Sequence, residues 1–585
     1  MTAEQSSPES AAAFLDRTER DLLVLTIESS RADWVYATHI TDDTEALSAL
    51  TLTRVLQATA RAAKAGVRFD RSRLSADELR KIDLLRLSMP LAAPSDPVLA
   101  EELTRLVASM SGKYGKARYA PRGTTEPLDL QGLSRILAER RDPAQLKDVW
   151  EGWHGFGRTI RPEFVRYVEL ANQGARELDF DDTGAMWRSK YDMPPADLER
   201  EVTRLWEQVR PFYLELHAYV RRRLGERYGT DLVPQGGPIP AHLLGNMWSQ
   251  SWENILPLVA PKDAGAPPDL TAALVRTRVD PKGMVRFAER FFVSLGLPPL
   301  PPSFWERSMF TKPRDREVIC HASAWDLDFV DDLRIKMCIE ITGEDFRTIH
   351  HELGHNYYQR AYAGQPFLYR DGAHDGFHEA IGDTIALSVT PGYLTSIDLG
   401  DATSGADRTI TDLLAVALEK VAFLPFGFAI DAWRWRVFAG AVAPEAYNPS
   451  WWAMRRDLQG IEPPGVRAPT EFDAGAKAHV PSNVPYLRYF LAHILQFQFH
   501  RALVREAGLS GPLHAASIFG SHAAGRRLAE MLALGQSRPW PDALAACTGE
   551  STMDGGALLE YFAPLRAWLR EENRGHPVGW SDGSG

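Results

Sequence analysis

The residues best suited to chemistry lie in the stretch "TIHHELGHNYYQ", which runs from Thr348 to Gln359. This stretch contains His351, Glu352 and His355 in the pattern H-E-x-x-H. Residues four apart lie on one face of a helix, so the two imidazoles could bind one metal ion with Glu352 beside them as a general base. Alone the pattern is only suggestive, because it also arises by chance on ordinary helices.

A third metal ligand is available further along the chain, in "GFHEAIGDTIALSV". Glu379 and Asp383 stand four apart and would share one helical face. Glu379 can complete a His₂Glu zinc site, and Asp383 can orient a ligating histidine by accepting a hydrogen bond from its far nitrogen. Taken singly, the segment is more typical of a helical turn with solvated acids, but beside H-E-x-x-H the metal site is favoured. We expect the nearby His350 and His378 to be core or supporting histidines.

The elements that must position these residues are mainly helices. Apolar residues recur every three or four positions in several long stretches, one of which begins near Pro195 and ends at Gly229. Strand signals are few, and the best candidate hairpin joins "REVICHASAWDL" to "LRIKMCIEIT". No internal repeat or long polar linker is visible. The sequence therefore predicts one compact, mostly α unit, split into two lobes about a cleft.

Composition is that of an ordinary globular protein, with 585 residues of which 44% are hydrophobic and 24% charged. The formal net charge of −11 argues against nucleic acid as a partner, since phosphate binding needs clustered basic residues. The longest apolar run, residues 421–443, contains Asp431, Arg434 and Arg436, so we expect a buried helix and no membrane span. No signal peptide is visible, which predicts a cytoplasmic protein, or a secreted or periplasmic one if a leader precedes this chain.

Five motifs follow one another in order: "PIPAHLLGNMW", "CHASAWD", "HHELGH", "GFHEAIGD" and "KAHVPSNVPYLRYF". Together they resemble the angiotensin-converting-enzyme family of zinc peptidyl-dipeptidases, and the likeness extends from about Glu151 to Trp568. The resemblance implies a mostly α, two-lobed ellipsoid with a deep central substrate channel and a few short strands near the active site. We expect a single peptidase domain of two subdomains over residues 10–573 and a flexible tail over 574–585.

The resemblance also assigns roles to the metal-site residues. His351, His355 and Glu379 match the zinc ligands of the family, with one Zn²⁺ per chain. Glu352 matches the residue that acts as general base and then general acid, and Asp383 matches the acid that orients a ligating histidine.

Further positions match the family's substrate contacts. By the resemblance, Tyr489 stabilises the oxyanion, with help from His479, because a phenol and an imidazole can both donate hydrogen bonds to it. His321 matches a residue that hydrogen-bonds the substrate, and Ala322 matches a backbone contact to the bound peptide. The group expected to bind the substrate's terminal carboxylate consists of Gln250, Lys477 and Tyr486.

Chloride activates the family, and Tyr191 and Arg488 match one chloride-binding pair. Trp451 and Arg455 match part of a second site, but His154 stands where the family has an arginine. A neutral imidazole attracts an anion less strongly than a guanidinium, which argues against the second site.

Three cysteines are present, and their count alone favours the reduced form. By the resemblance, however, Cys320 and Cys338 match a disulfide of the family. Another cysteine pair and the membrane anchor of animal members are absent, so we expect a free-standing, single-domain microbial form.

These observations predict a zinc peptidyl-dipeptidase that acts on oligopeptides with a free C-terminus. The nearest alternative is another H-E-x-x-H oligopeptidase or a monocarboxypeptidase, although family members that remove one residue carry arginine at the position of Gln250. A non-catalytic peptide-binding protein of this fold is the remaining alternative, and it would be expected to have lost Glu352 or a ligand. The sequence makes no prediction of oligomeric state.

Overall fold

The structure, a computed structural model, describes residues 9–261, 270–400 and 406–581. Within these ranges the chain forms twenty-three α-helices and four short strands, which confirms the predicted mostly-α class. The helices of the first half are α1 (Ala11–Thr38), α2 (Asp42–Gly66), α3 (Ala76–Leu87), α4 (Pro97–Lys116), α5 (Leu130–Glu139), α6 (Pro143–His154), α7 (Arg161–Arg176), α8 (Thr183–Arg188), α9 (Pro195–Tyr228), α10 (Leu256–Val259), α11 (Leu270–Arg276), α12 (Pro281–Ser294) and α13 (Pro302–Arg307).

The second half contains the helices that carry the predicted site. These are α14 (Gly343–Tyr362), α15 (Asp375–Leu387), α16 (Pro391–Ser396), α17 (Ala406–Phe438), α18 (Tyr447–Gln459), α19 (Leu487–Glu506), α20 (His522–Leu532), α21 (Trp540–Thr548), α22 (Gly556–Tyr561) and α23 (Ala563–Glu572). The strands are β1 (Ile239–Pro240), β2 (Ser323–Asp326), β3 (Leu333–Lys336) and β4 (Ile461–Glu462).

The strands form two separate pairs. β1 and β4 are parallel, with Ile239 opposite Ile461. β2 and β3 form the predicted hairpin, antiparallel from Ser323 opposite Lys336 to Asp326 opposite Leu333. Asn356 of α14 holds this hairpin, since its side-chain amide donates to a carbonyl oxygen on each strand at 3.2 Å.

Helices α14, α15 and α19 begin at positions fixed by local hydrogen bonds. The Thr342 hydroxyl accepts from the backbone N–H of Asp345 at 3.1 Å and caps α14. α15 begins after His374, whose Nδ1 accepts from the N–H of Gly376 at 3.0 Å. At the start of α19, the buried Asp431 carboxylate accepts two backbone N–H groups at 2.7 Å, so a side chain from α17 supplies the missing cap.

α17 is long and apolar enough over Arg408–Phe438 to cross a membrane by length and composition; it is the one such helix among the described residues. The most apolar window of that helix has a mean hydropathy of 1.9, and 78% of it is buried inside the molecule. That burial is typical of a core helix. The predicted buried helix at 421–443 is thus found, and it ends at Phe438.

The C-terminal segment packs against α9, which differs from the flexible tail expected over 574–585. Arg221 of α9 is buried and donates to the carbonyl oxygens of Pro577 and Gly579. The Trp580 ring lies 4.7 Å from the His217 ring, between ring centres. A buried guanidinium needs these acceptors, which explains why the segment is held down to residue 581; residues 582–585 lie outside the described ranges. The division of 10–573 into two subdomains and the central channel stay predictions.

Candidate active site

Two glycines allow α14 and α15 to approach each other closely. A Cβ atom built on Gly354 of α14 would lie 2.9 Å from the Cα of Gly382 on α15. A Cβ on Gly382 would lie 2.7 Å from Nδ1 of His351, closer than packed atoms tolerate. Because these two glycines carry no side chains, α15 can pack directly against the histidines of α14.

The crossing places the three predicted metal ligands around one point. The Nε2 atoms of His351 and His355 lie 3.0 Å apart, and Oε2 of Glu379 lies 3.7 Å from Nε2 of His351. One donor atom from each residue falls within 4.8 Å of the other two. Within the described ranges this is the only group of three or more such residues whose donor atoms converge in this way.

Asp383 and Lys420 orient the first histidine. Oδ1 of Asp383 lies 3.1 Å from Nδ1 of His351, while Nζ of Lys420 donates to Oδ2 of Asp383 at 3.1 Å. Burial alone would raise the pKa of Asp383, but Lys420 and His351 lower it well below its usual range. The ionised Asp383 holds the proton of His351 on Nδ1 and so directs the Nε2 lone pair towards the other ligands.

The second histidine is supported by aromatic groups. Nδ1 of His355 lies 3.3 Å from Nδ1 of His378, and Nε2 of His378 lies 3.2 Å from the hydroxyl of Tyr362. His378 is therefore a supporting residue, as predicted. His350 is a core histidine, fully buried, with Nδ1 2.7 Å from the carbonyl oxygen of Phe346.

These donors fit a zinc ion. Two imidazoles and one carboxylate form the His₂Glu set that zinc takes in catalytic sites. Burial lowers the pKa of His355, so this ring is neutral and offers a lone pair. Two ring nitrogens facing each other at 3.0 Å need a proton or a cation between them, and a divalent cation satisfies both at once.

Glu352 lies beside the ligands with its side chain almost wholly buried, at 8% exposure. Burial raises the pKa of its carboxyl group, and the neighbouring Glu379 adds to the rise. The backbone N–H of Ala324, on β2, donates to this carboxylate and keeps it in place. A buried carboxyl group with a raised pKa is suited both to accept a proton and to return it.

The three residues predicted to bind a terminal carboxylate form one cluster. Oε1 of Gln250 accepts from Nζ of Lys477 at 2.7 Å and from the hydroxyl of Tyr486 at 3.3 Å. Burial lowers the pKa of Lys477 to about 7, and within the described ranges no acidic group pairs with it. Its ammonium also lies 3.9 Å from the centre of the Trp248 ring, a contact that sequence patterns did not reveal.

The predicted oxyanion donors lie next to this cluster. The rings of His479 and Tyr489 are 5.8 Å apart, and those of Tyr486 and Tyr489 are 4.9 Å apart. Burial lowers the pKa of His479 to about 3, so this imidazole is neutral. Burial raises the pKa of Tyr489, and Glu379 raises it further. Both groups therefore keep a proton that they can donate.

A family model described as "Angiotensin-converting enzyme" matches residues 5–580. The chain belongs to the angiotensin-converting enzyme family. It is 42% identical to the angiotensin-converting enzyme of Bos taurus over 590 residues, which is 98% of this chain and 44% of that relative. It is 41% identical to the angiotensin-converting enzyme-like protein Ace3 of Mus musculus, over 98% of this chain and 78% of the relative. The identity to the angiotensin-converting enzyme of Theromyzon tessulatum is 40%, over 95% and 91% respectively. The chain thus spans less than half the length of the bovine relative.

Two residues expected to contact substrate lie on the hairpin side of the site. His321 is exposed and Ala322 half-buried, just before β2. Lys336 of β3 holds this segment, because its Nζ donates to the carbonyl oxygens of Ile319 and His321 at 2.8 and 2.6 Å. A disulfide between Cys320 and Cys338 closes the same hairpin, as the resemblance to the angiotensin-converting enzyme family implies. The substrate contacts of His321 and Ala322 stay predictions.

A carboxylate already lies beside Arg488, at the first position predicted for chloride. The hydroxyl of Tyr191 is buried without a hydrogen-bond partner in the described chain. Nη2 of Arg488, however, lies 3.1 Å from Oδ2 of Asp375. The expected binding of chloride by Tyr191 and Arg488 therefore has an internal competitor.

At the second position predicted for chloride, the structure favours an anion more than the sequence did. Arg455 is buried at 3% exposure and forms no ion pair with any residue of the described ranges. It donates to Gln459 at 2.8 Å and to the carbonyl oxygen of Trp248 at 2.7 Å, and the Trp451 ring lies 5.1 Å from it. Burial lowers the pKa of His154 to about 4, so that ring is neutral, as expected. A buried, unbalanced guanidinium makes this position more favourable for an anion than the sequence suggested.

Proposed function

We propose that this chain is a zinc-dependent peptidyl-dipeptidase that removes dipeptides from the free C-terminus of oligopeptides, with chloride as an activator. The observation that carries the proposal is the convergence of His351, His355 and Glu379 beside the buried carboxylate of Glu352. The family supports it, since the relatives described above are named angiotensin-converting enzymes.

The chain's own residues perform the proton transfers. A zinc ion held by the three ligands would supply a Lewis acid that polarises neighbouring oxygen atoms. Glu352 removes a proton from the water that attacks the scissile carbonyl carbon, and a new carbon–oxygen bond forms. Tyr489 and His479 donate hydrogen bonds to the oxyanion that develops. Glu352 then returns the proton to the amine nitrogen as the carbon–nitrogen bond breaks.

The C-terminal selectivity rests on the cluster around Gln250. Lys477 offers a cation and Tyr486 a neutral donor, and together they suit a single carboxylate at the end of a peptide. A peptide with a blocked C-terminus would leave the buried ammonium without a counter-charge. Glutamine at position 250, where single-residue-removing members carry arginine, supports dipeptide release.

The disulfide between Cys320 and Cys338 supports a secreted or periplasmic location, because disulfides persist in oxidising compartments. Expression in a reducing and an oxidising compartment, followed by thiol counting, tests this proposal. Three free thiols in active protein from its native host would contradict it.

Product analysis tests the proposed activity. A mixed set of peptides is incubated with the enzyme, with and without a chelator, and the products are identified by mass spectrometry. We expect dipeptides removed in succession from free C-termini, and little cleavage of the same peptides when their C-termini are amidated. Single amino acids as products would favour a monocarboxypeptidase, whereas internal cuts in both peptide sets would favour an oligopeptidase of another specificity.

A further inference from the structure

Asp375 bridges two cations at the position predicted for chloride. Its Oδ2 lies 3.1 Å from Nη2 of Arg488, and its Oδ1 lies 3.5 Å from Nζ of Lys190. The Asp375 side chain is 14% exposed, and those of Lys190 and Arg488 are 22% and 28% exposed. A carboxylate held between two partly buried cations forms a stronger pair than one on the open surface.

The local fold stabilises a negative charge here. Asp375 is the first residue of α15, where the backbone N–H groups and the helix dipole favour an anion. His374, which caps the helix, has its pKa lowered to about 3 by burial, so it does not supply a competing positive charge. Burial alone would raise the pKa of Asp375, but Lys190 and Arg488 keep it below its usual value.

This bridge joins three segments that reach the proposed active site. Lys190 and Tyr191 follow α8, Asp375 lies one helical turn before the ligand Glu379, and Arg488 directly precedes Tyr489. The guanidinium of Arg488 acts electrostatically on both Glu379 and Tyr489. An anion beside Arg488 therefore influences the positions and the charges of Glu379 and Tyr489.

We propose that Asp375 is a resident anion that takes the place of chloride beside Tyr191 and Arg488, and that it acts as a positioning residue for Tyr489. The negative charge that Arg488 needs is covalently part of α15, so it is present at any chloride concentration. A second anion at this position would be repelled by the carboxylate. Any effect of chloride on the wild-type enzyme then arises elsewhere, and the position that favours it is Arg455, which has no acidic partner in the part of the chain that the structure describes. This inference rests on the proposed peptidase activity.

The kinetic test compares Asp375→Asn with wild type over a range of chloride concentrations at constant ionic strength, with gluconate as the replacing anion. Without chloride, kcat/KM of Asp375→Asn should fall by about tenfold relative to wild type, mainly in kcat, and saturating chloride should restore it. Asp375→Glu keeps the charge and should follow the wild-type curve. Glu102→Gln, which removes an ion-paired carboxylate on α4, is the matched control and should also follow wild type.

A crystallographic measurement tests the inference independently of the peptidase activity. Crystals soaked in bromide should show an anomalous peak between Tyr191 and Arg488 in Asp375→Asn and none there in wild type. Bromide at that position in wild type, or identical chloride curves for Asp375→Asn and wild type, would overturn the inference. If Asp375→Asn does not fold, the wild-type crystal alone decides. If no variant cleaves peptides, the proposed function fails, while the bromide maps still test the role of Asp375.

Discussion

Glu352 has the two properties that a proton-transferring carboxylate needs, which are a position beside the ligand cluster and a pKa raised by burial. Its neighbours on α14 and α15 provide the metal-binding groups, so removing its charge should leave those groups in place.

The first prediction concerns this residue. Glu352→Gln should bind zinc in the same ratio as wild type and lose about 10²- to 10⁴-fold in kcat, because an amide accepts no proton. Metal analysis and steady-state kinetics on one tripeptide with a free C-terminus check both parts. Turnover within about tenfold of wild type would show that another group is the base.

The second prediction concerns Lys477, whose pKa is lowered to about 7 by burial. Below that pH the ammonium is present and can bind a substrate carboxylate, and above it the charge is lost. KM for free-acid peptides should therefore rise as pH increases through about 7, and Lys477→Met should raise KM by about 10- to 100-fold and remove this pH dependence. An unchanged pH profile of KM in Lys477→Met would assign the carboxylate contact to another residue.

The sequence could predict the roles of some site residues but not of others. His351 and His355 could be predicted, because helical periodicity places residues four apart on one face. Glu379 lies on another helix, and its role came from its chemistry, its spacing to Asp383 and the family resemblance. Lys420, Lys336 and Asp375 could not be predicted, because no local pattern marks any of them. The role of Asp375 depends on where α8 and α19 lie, which only the folded chain shows.

At the scale of elements, the crossing of α14 and α15 decides whether the site exists. The four-residue spacing of His351 and His355, and of Glu379 and Asp383, favoured two helices, and strand and turn signals predicted the β2–β3 hairpin. The distance between α14 and α15 could not be predicted, since it depends on Gly354 and Gly382 meeting at one point.

The third prediction follows from that contact. In Gly382→Ala the new methyl group would lie 2.7 Å from the His351 ring, so α15 must move and Glu379 with it. Zinc affinity should fall by about 10- to 100-fold, measured by competition with a chromogenic chelator. The control is Gly112→Ala on α4, where nothing lies within 4 Å and affinity should not change. Equal zinc affinity in Gly382→Ala and wild type would mean that the close approach is not required.

At the scale of the whole molecule, the C-terminal segment is part of the folded body. It supplies acceptors to the buried Arg221 and covers His217 with Trp580. The sequence predicted a flexible tail here, because no local pattern reveals that Arg221 of the distant helix α9 donates to carbonyl oxygens of this segment.

The fourth prediction is that removal of residues 577–585 lowers the stability of the folded chain by about 1–3 kcal/mol, because Arg221 loses two of its three carbonyl acceptors and keeps only that of Gly237. Removal of 582–585 alone keeps the contacts of Arg221 and should change little. Urea denaturation followed by tryptophan fluorescence compares the two truncations. Equal midpoints would show that Arg221 finds other acceptors.

The most direct test of the account is an anomalous difference map collected at the zinc absorption edge from crystals of the wild-type protein. We predict one strong peak per chain, in contact with Nε2 of His351, Nε2 of His355 and the carboxylate of Glu379. A peak at another position, or no peak in crystals grown from protein that cleaves peptides, would contradict the proposed metal centre and the activity built on it.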